Sequence, residues 1–421
     1  MIIGHLAYDT RSLRACTLTC YSWYIAAAAN LHYIFCISNE FWGQKYQWPN
    51  PLRHMHRLGL LPLVRTFWFR GDNSDDALSL KRFNRHTLRQ FSALTHVRRL
   101  VLTHLDIPSF MPGIRQYFGH FQPTVRELYL VQPKGSHRQI IYFTGLFEHL
   151  EDLEFHHLGG FQGEEPADSL TLIPPFVPPL RGGLKLVCFR RADLLKDMID
   201  LFGGIRFRRM DLYDVDGMSL LLDACAETLE TLVLYPADPR GEKLPPEGVH
   251  IVTSFNNSAA SSSFQDFDLS RNQSLRTLRV MAWSLDRALK KGPPATASSL
   301  LKYALSTITS PSFFEVVVRF QWCDFHAVES WRNPDRPPLR ELSAAGRVVE
   351  ALRHRRRFEV LREAHKTRDF RLVLDAKVWD PAGEYSVRML KEAVAEEKAK
   401  GGLDDFLSEP LVTYHPCRSR L

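Results

Sequence analysis

The sequence predicts an α/β fold built from repeated units of one short strand and one helix. The prediction depends on a short apolar motif that recurs along much of the 421-residue chain, and on the amphipathic stretches that separate its copies. Alternating apolar residues over a short run indicate a strand, whereas apolar residues at steps of three and four indicate a helix. Segments rich in glycine and proline interrupt the series and indicate loops.

The recurring motif has apolar residues at its first, fourth and sixth positions. It is clearest in HVRRLVLTHL, where Val97, Leu100 and Leu102 occupy these positions. The alternation at its end predicts a strand with one buried face. Further copies begin at Val125, Leu150, Leu184, Phe207, Leu229 and Leu275, and weaker copies begin at Val64 and Phe313. In the copy that begins at Leu184, the fourth and sixth positions fall on Val187 and Phe189.

Amphipathic stretches such as FMPGIRQYFGHF, LLKDMIDLFGGI and MSLLLDACAETL lie between the motif copies. A strand followed by a helix about every 20 to 30 residues is typical of leucine-rich repeats. Such units bury their apolar faces against one another, so the pattern predicts a solenoid with a parallel sheet. The repeats are irregular, because their spacing is uneven and the asparagine or cysteine that often follows the strand is missing. An ordinary α/β domain with leucine-rich strands is the alternative.

Composition divides the chain into three parts. Residues 1–38 form a short helical segment, residues 60–325 carry the irregular repeats, and residues 335–421 follow the boundary RNPDRPPLRE. The last part combines predicted helices with the predicted strand FRLVLDAKVWD, and we expect this α/β segment to cap the open end of the solenoid. Loops are predicted within the repeats at 159–183 and 235–268, where proline, glycine or serine is frequent.

The charge and cysteine content favour a reduced intracellular protein. The net charge of +7 is small for this length, so we expect a slightly basic solvated surface and no nucleic-acid partner. No stretch approaches the ~18 consecutive apolar residues of a membrane helix, and no secretory signal is expected. The seven cysteines are odd in number and scattered, which predicts free thiols in a cytoplasmic and/or nuclear protein.

The N-terminal segment has one apolar helical face. Leu13, Cys16 and Cys20 recur at steps of three and four, and the alanine-rich YIAAAANLHYIF continues as a good helix former. The two cysteines stand one helical turn apart, but structural zinc needs four ligands and no familiar zinc spacing completes the set. We therefore interpret both as buried packing residues, and we predict no metal and no other cofactor.

The segment MIIGHLAYDTRSLRACTLTCYSWYIAAAANLHY resembles an F-box, in the form common in fungal F-box proteins. IIGHL matches the end of the first F-box helix, and CTLTCYSW matches the region around the end of the second, with Cys20 and Trp23 in the signature positions. Leu31 falls in the third helix. Members of the family usually open with a Leu-Pro segment and most of a first helix, so the resemblance implies that the start of the F-box is missing here.

The resemblance implies docking on the Skp-type adaptor of a cullin–RING ubiquitin ligase, through an amphipathic helix set on an apolar surface. The adaptor contacts that it implies are Ile2, Ile3, Leu6, Leu13, Leu18 and Trp23. A purely internal helical core is the alternative role for these residues. An irregular leucine-rich array is the arrangement expected downstream of such a segment, so the two predictions support each other.

The predicted function is therefore that of a non-catalytic substrate receptor in an Skp–cullin–F-box ubiquitin ligase. The target protein would contact polar or aromatic side chains between the strand leucines, and the candidates are Arg99, Glu127, Tyr129, Arg209 and Arg279. We find no P-loop, GxGxxG, HExxH or GxSxG motif. The basic run Arg353–Arg357 is interpreted as a solvated helix face, with a nuclear address as the alternative.

Two other functions compete with this prediction. One is a leucine-rich scaffold or interaction protein with no ubiquitin role, which failure to bind the adaptor would favour. The other is an enzyme whose active site no motif reveals, which a cleft with convergent titratable groups would favour.

Overall fold

The computed structural model describes most of the predicted repeat region and parts of both ends. The described residues are 10–31, 33–38, 51–70, 91–158, 171–235, 268–282, 303–322, 369–378 and 411–414, together with 364, 395 and 399. They belong to two compact units. The first unit comprises Met1–Phe207 and Val215–Leu220, and the second comprises Arg208–Asp214 and Leu221–Leu421.

Among the residues of the first unit that the structure describes, six strands pair in parallel and follow one another in chain order. They are β1 (Ile34–Ser38), β2 (Thr66–Arg70), β3 (Arg99–Thr103), β4 (Glu127–Val131), β5 (Asp152–His156) and β6 (Gly183–Phe189). Parallel neighbours need a connection that returns the chain to the same end of the sheet, and helices lie in several of these connections. The predicted α/β class with parallel strands is confirmed.

The helices of the first unit are short. They are α1 (Thr10–Thr17), α2 (Tyr21–Leu31), α3 (Pro51–Arg57), α4 (Ile107–Phe110), α5 (Ile114–Phe118), α6 (His137–Thr144) and α7 (Ala192–Leu201). Helix α6 begins at a capping box, because the Ser136 hydroxyl accepts from the Gln139 backbone and the Gln139 side chain accepts from the Ser136 backbone. This reciprocal pair satisfies two amide groups that would otherwise lack partners.

The second unit repeats the same connectivity. Its strands are β7 (Arg209–Val215, of which the last residue belongs to the first unit), β8 (Thr231–Tyr235), β9 (Thr277–Ala282), β10 (Glu315–Trp322), β11 (Arg371–Val378) and β12 (Leu411–Tyr414). Helix α8 (Met218–Ala224) follows β7. The predicted strand FRLVLDAKVWD is β11, and it pairs in parallel with β10. The segment predicted as a cap thus extends the sheet that the repeats form.

Buried phenylalanine rings connect neighbouring repeats of the first unit. Successive ring centroids from Phe67 through Phe91, Phe121 and Phe118 to Phe143 lie 5.2, 6.4, 6.5 and 5.1 Å apart. All five side chains are fully buried. Aromatic pairs at such distances stabilise a core beyond the area that they bury, so these rings hold the strands in one layer.

The strand register corrects one copy of the apolar motif. Leu184 pairs with Leu153, and Leu186 pairs with Phe155. Leu184 therefore occupies the fourth position of its repeat rather than the first, and Val187 lies on the opposite face of the sheet. The run LKLVCF carries apolar residues on both faces, so its spacing alone is compatible with two alignments.

The first strand was not predicted. Helix α2 ends at Leu31 rather than continuing through YIF, and Ile34–Ser38 forms β1 beside β2. The β-branched and aromatic residues of IFCIS favour a strand, and β2 supplies the backbone partner that makes it one. The alanine-rich stretch alone did not reveal this end of the helix.

Several predicted features lie outside the described residues. They are Ile2, Ile3, Leu6, nearly all of the loop 235–268 and the basic run Arg353–Arg357. In the part of the chain that the structure does describe, no helix has the length and apolar character needed to cross a membrane.

Candidate functional site

Helices α1 and α2 form a helical hairpin with a buried side. Leu13, Cys16 and Ala27 form its core, and Leu31 packs against them. Leu13 and Cys16 lie three residues apart on α1, and Ala27 and Leu31 lie four residues apart on α2, so the predicted apolar face is divided between two helices. Cys20 is exposed, contrary to its predicted burial, because α1 ends at Thr17 and the chain turns before α2 begins.

Four large apolar side chains of the hairpin reach solvent. Leu18 is 88% exposed, Tyr21 77% and Trp23 42%, and Tyr24 is exposed as well. The Leu18 N–H donates to the Ala15 carbonyl at 3.1 Å, and this tight turn carries the Leu18 side chain away from the core. Tyr21 and Tyr24 lie one helical turn apart on the same side of α2. We call these four residues the hairpin surface.

The structure separates the predicted adaptor contacts that it describes. Leu18 and Trp23 belong to the hairpin surface, whereas Leu13 is fully buried in the hairpin core. Close packing holds Leu13 inside, so a partner reaches it only if the hairpin opens. Tyr21 and Tyr24 were not predicted, although both lie beside the matched signature.

A second candidate surface lies on the sheet of the first unit, on the face opposite the leucine core. The register places Arg99 beside Glu127, and it places Tyr129 beside Glu154. Lys185 follows Glu154 in the same row, on the next strand. Three of the predicted target contacts thus lie together. We call these five residues and His156, at the end of β5, the polar cluster.

Direct contacts link the members of the polar cluster. The Arg99 guanidinium carbon lies 4.1 Å from the centre of the Tyr129 ring, and Arg99 Nε lies 3.7 Å from Glu127 Oε2. Lys185 Nζ lies 2.6 Å from Glu154 Oε1, which His156 Nε2 also contacts. The Tyr129 hydroxyl forms a further hydrogen bond with Glu154. Glu154, which is buried, is the centre of the network.

The network fixes the protonation state of its central groups. Burial of Glu154 opposes its ionisation, but the hydrogen bond from His156 and the charge of Lys185 outweigh burial and lower its pKa to about 2. Burial and the neighbouring Glu154 charge raise the pKa of Tyr129 well above its usual value. General acid–base catalysis uses groups whose pKa lies near the working pH. The shifted pKa values of Glu154 and Tyr129 therefore lie far from neutral pH, whereas burial raises the pKa of Glu127 in the same cluster.

The remaining predicted target contacts lie on the sheet of the second unit. Arg209 donates from Nε and Nη2 to both carboxylate oxygens of Asp211, at 2.9 and 2.7 Å. This bidentate pair holds the Arg209 guanidinium in a fixed orientation. Arg279 lies on β9 with Val233 and Val317 as its neighbours in register, so its surroundings differ from those of Arg209.

Sequence reasoning missed Glu154, His156 and Lys185. Tyr129, Glu154 and Arg279 all follow the fourth position of their motif copies, so an alignment of the copies would have placed them in equivalent positions. Lys185 was missed because its motif copy was aligned with Leu184 in the first position instead of the fourth. Within the described ranges, no group of three or more histidine, cysteine, aspartate or glutamate side chains is arranged to hold a metal ion.

Comparison with known proteins finds no family model that matches this chain and no matching curated protein. The hairpin surface and the two sheet faces are the features from which a function can be argued.

Proposed function

We propose that this protein is a substrate receptor of an Skp–cullin–F-box ubiquitin ligase. The hairpin surface docks on the adaptor, and the sheet faces hold the target protein. The observation that carries the proposal is the exposure of Leu18, Tyr21 and Trp23 on a two-helix element. Single exposed apolar side chains are common, but a group that includes tyrosine and tryptophan is typical of interaction sites.

The boundaries of the hairpin support the same proposal. The F-box resemblance implies that the second helix ends within CTLTCYSW and that the third helix contains Leu31. Helix α1 ends at Thr17, and α2 runs from Tyr21 to Leu31. The turn between them exposes Leu18, and the first turn of α2 exposes Trp23, where an apolar groove of an adaptor can receive them.

In the proposed mechanism, the receptor brings the target protein close to the conjugating enzyme. The adaptor holds the receptor within the ligase, and the receptor holds the target, so that a target lysine and the ubiquitin-loaded conjugating enzyme meet at a high effective concentration. The parallel strands keep the target-binding side chains in fixed positions relative to one another. A receptor of this kind contributes binding energy and geometry, and the chemistry takes place on the conjugating enzyme.

Binding to a purified Skp-type adaptor tests the proposal. The affinity of the whole chain is measured by biolayer interferometry, beside a known F-box protein. The Leu18→Ala and Trp23→Ala double variant is expected to bind ~30-fold more weakly or worse, since loss of an aromatic anchor costs about 2 kcal/mol or more. Ile173→Ala is the matched control, because Ile173 is 76% exposed and lies outside the hairpin.

Two results would contradict the proposal. Either the unaltered chain fails to bind the adaptor while the known F-box protein binds, or the double variant binds as well as the Ile173→Ala control. Unaltered thermal unfolding of the double variant shows that a loss of binding does not come from a loss of fold. A chain that does not bind the adaptor but binds another protein through its sheet faces would be a scaffold protein.

A further inference from the structure

A row of arginines lies along the end of the first unit's sheet at which β2, β3 and β4 begin. Arg65, Arg98 and Arg126 each occupy the second position of their motif copies. The Arg98 N–H donates to the Arg65 carbonyl, and the Arg126 N–H donates to the Arg98 carbonyl, both at 2.8 Å. The three residues are therefore direct neighbours, with one strand spacing of about 4.8 Å between each and the next.

The segments that carry these arginines contain no acidic residue. They are residues 60–65, 91–98 and 119–126, and each leads into one of the three strands. His96 adds an imidazole beside Arg65, because His96 Nδ1 and Arg65 Nη1 both contact the Pro62 carbonyl oxygen, at 3.1 and 2.9 Å. We call Arg65, His96, Arg98 and Arg126 the basic rim.

The basic rim is accessible to a partner. His96 and Arg98 are exposed, Arg65 is half-buried, and the Arg126 side chain is 51% exposed. Arg98 has no ion pair with any residue that the structure describes. The hydrogen bond of Arg65 goes to a backbone carbonyl, which does not neutralise its charge.

The carboxylates next to the basic rim already have cationic partners. Glu151 follows Arg126 in the same row, since its N–H donates to the Arg126 carbonyl, and its Oε1 lies 2.6 Å from Arg126 Nη1. Glu127 lies on the adjoining sheet face, and its Oε2 is 3.7 Å from Arg99 Nε. Neither carboxylate therefore compensates the first two arginines of the row.

Three arginines side by side do not serve the fold. Like charges on neighbouring strands repel one another, so the row lowers stability unless an anion lies against it. A partner with several carboxylates removes this repulsion, because each guanidinium group can donate two parallel hydrogen bonds to one carboxylate. Complementary charge of this kind also accelerates the encounter of two proteins and excludes basic partners.

We propose that the basic rim binds an acidic segment of the target protein, in which aspartate or glutamate residues follow one another closely. This inference rests on the proposed function, because it names the class of target that the receptor recognises. Two strand spacings separate the first and last arginine of the row, or roughly 10 Å. An extended segment of about three or four residues covers that distance.

Two observations favour an acidic protein segment over phosphate groups and nucleic acids. Phosphate sites commonly use free backbone amides, whereas the N–H groups of Arg98 and Arg126 donate to carbonyls of the preceding repeat. Single-stranded nucleic acids stack successive bases on aromatic rings. In the three segments, Phe91 and Phe121 are fully buried, and only Tyr33, before Arg65 in the described row, exposes a ring.

Synthetic peptides test this inference. The probe is a fluorescent peptide with a run of glutamates between serine and glycine residues, and matched peptides carry glutamine or phosphoserine in place of glutamate. A fluorescent single-stranded oligouridylate is the nucleic-acid probe. Fluorescence anisotropy with the whole chain is expected to show that the glutamate peptide binds about tenfold more tightly than the glutamine peptide. This advantage should fall as salt is added, since salt screens exposed charges.

Variants of the protein locate the site. Arg98→Gln is expected to reduce the advantage of the glutamate peptide about threefold or more, and the double variant with Arg65→Gln is expected to remove it. Arg276→Gln is the matched control and should keep the advantage. Arg276 is exposed and holds the same motif position, but its neighbours in the row are Glu230 and Phe314. Unchanged thermal unfolding shows that each variant is folded.

Several results would overturn the inference. One is equal binding of the glutamate and glutamine peptides, and another is no binding at about 1 mM peptide. Equal losses in Arg98→Gln and Arg276→Gln would show that net charge alone attracts the peptide. Tighter binding of the phosphoserine peptide or of the oligouridylate, if it depends on Arg98, would replace the acidic segment with a phosphate ligand.

Adaptor binding, measured on the same variants, separates this inference from the proposed function. Arg98→Gln is expected to bind the adaptor normally, since the hairpin surface is unchanged. A preference for the glutamate peptide that depends on Arg98, in a chain that does not bind the adaptor, would contradict the ligase proposal and leave the basic rim as a binding site. Normal adaptor binding without this preference would do the reverse.

Discussion

The sheet faces of the two units use charged residues in different ways. In the first unit, Arg99 and Lys185 each lie against a carboxylate of the same chain, and Tyr129 lies between them. In the second unit, Arg279 lies between two valines and has no such partner among the described residues. Arg99 Nε and Arg279 Nε are both buried without a hydrogen-bond partner, but only Arg99 has an ion pair with a carboxylate.

This difference predicts opposite effects of substitution on stability. A satisfied network stabilises the fold and keeps its side chains in place, so a partner loses little entropy when it binds there. An arginine whose Nε is buried without a hydrogen-bond partner and that has no ion pair lowers stability. Substitutions in the polar cluster should therefore cost stability, and substitution of Arg279 should raise it.

The largest change in the free energy of unfolding is expected from Glu154→Gln. Loss of this charge leaves Lys185 and His156 without their shared carboxylate, and breaking a buried ion pair typically costs about 3–5 kcal/mol. Because the Lys185 side chain is 36% exposed, we expect a loss of about 3 kcal/mol in the free energy of unfolding, measured by urea denaturation. The control is Glu151→Gln, which removes an exposed pair with Arg126 and should cost less than ~1 kcal/mol. Equal losses in both variants would show that Glu154 is not the centre of a network.

The same carboxylate predicts a dependence on pH. Folding lowers the pKa of Glu154 from 4.5 to about 2, so the folded state binds fewer protons than the unfolded state between these values. The stability that Glu154 contributes is therefore fully present above about pH 4.5 and is lost as the pH falls towards 2. The gap in unfolding free energy between the native chain and Glu154→Gln should shrink over this range. A gap that stays constant from pH 7 to pH 2.5 would contradict the assignment.

The smallest change in the free energy of unfolding, and the only stabilising one, is expected from Arg279→Met. Removal of the unsatisfied guanidinium should raise the free energy of unfolding by about 1 kcal/mol, because a buried donor no longer lacks a partner. Arg371→Met is the matched control and should lower stability, since it leaves the Glu315 carboxylate, which is only 12% exposed, without its ion-pair partner. Destabilisation by Arg279→Met would mean that Arg279 supports the fold, and the contrast between the two faces would then disappear.

Much of the local structure was predictable because its causes are local. The spacing of Leu100 and Leu102 is enough to indicate a strand with one buried face, and β3 is found there. The steps between Leu13 and Cys16 are enough to indicate one side of a helix. Local spacing is not enough in the run around Leu184, because apolar residues on both faces allow two alignments. Only the pairing with β5 selects one of them.

By itself, the sequence determined the α/β class, most strand positions and the apolar face of the hairpin, since each follows from the periodicity of neighbouring residues. Only the tertiary structure decided how the candidate arginines differ. Arg99 and Arg209 precede the fourth position of their motif copies and meet a carboxylate, whereas Arg279 follows the fourth position of its copy and lies between valines. Their partners come mostly from other strands, which long loops bring into register, and no local pattern encodes that register.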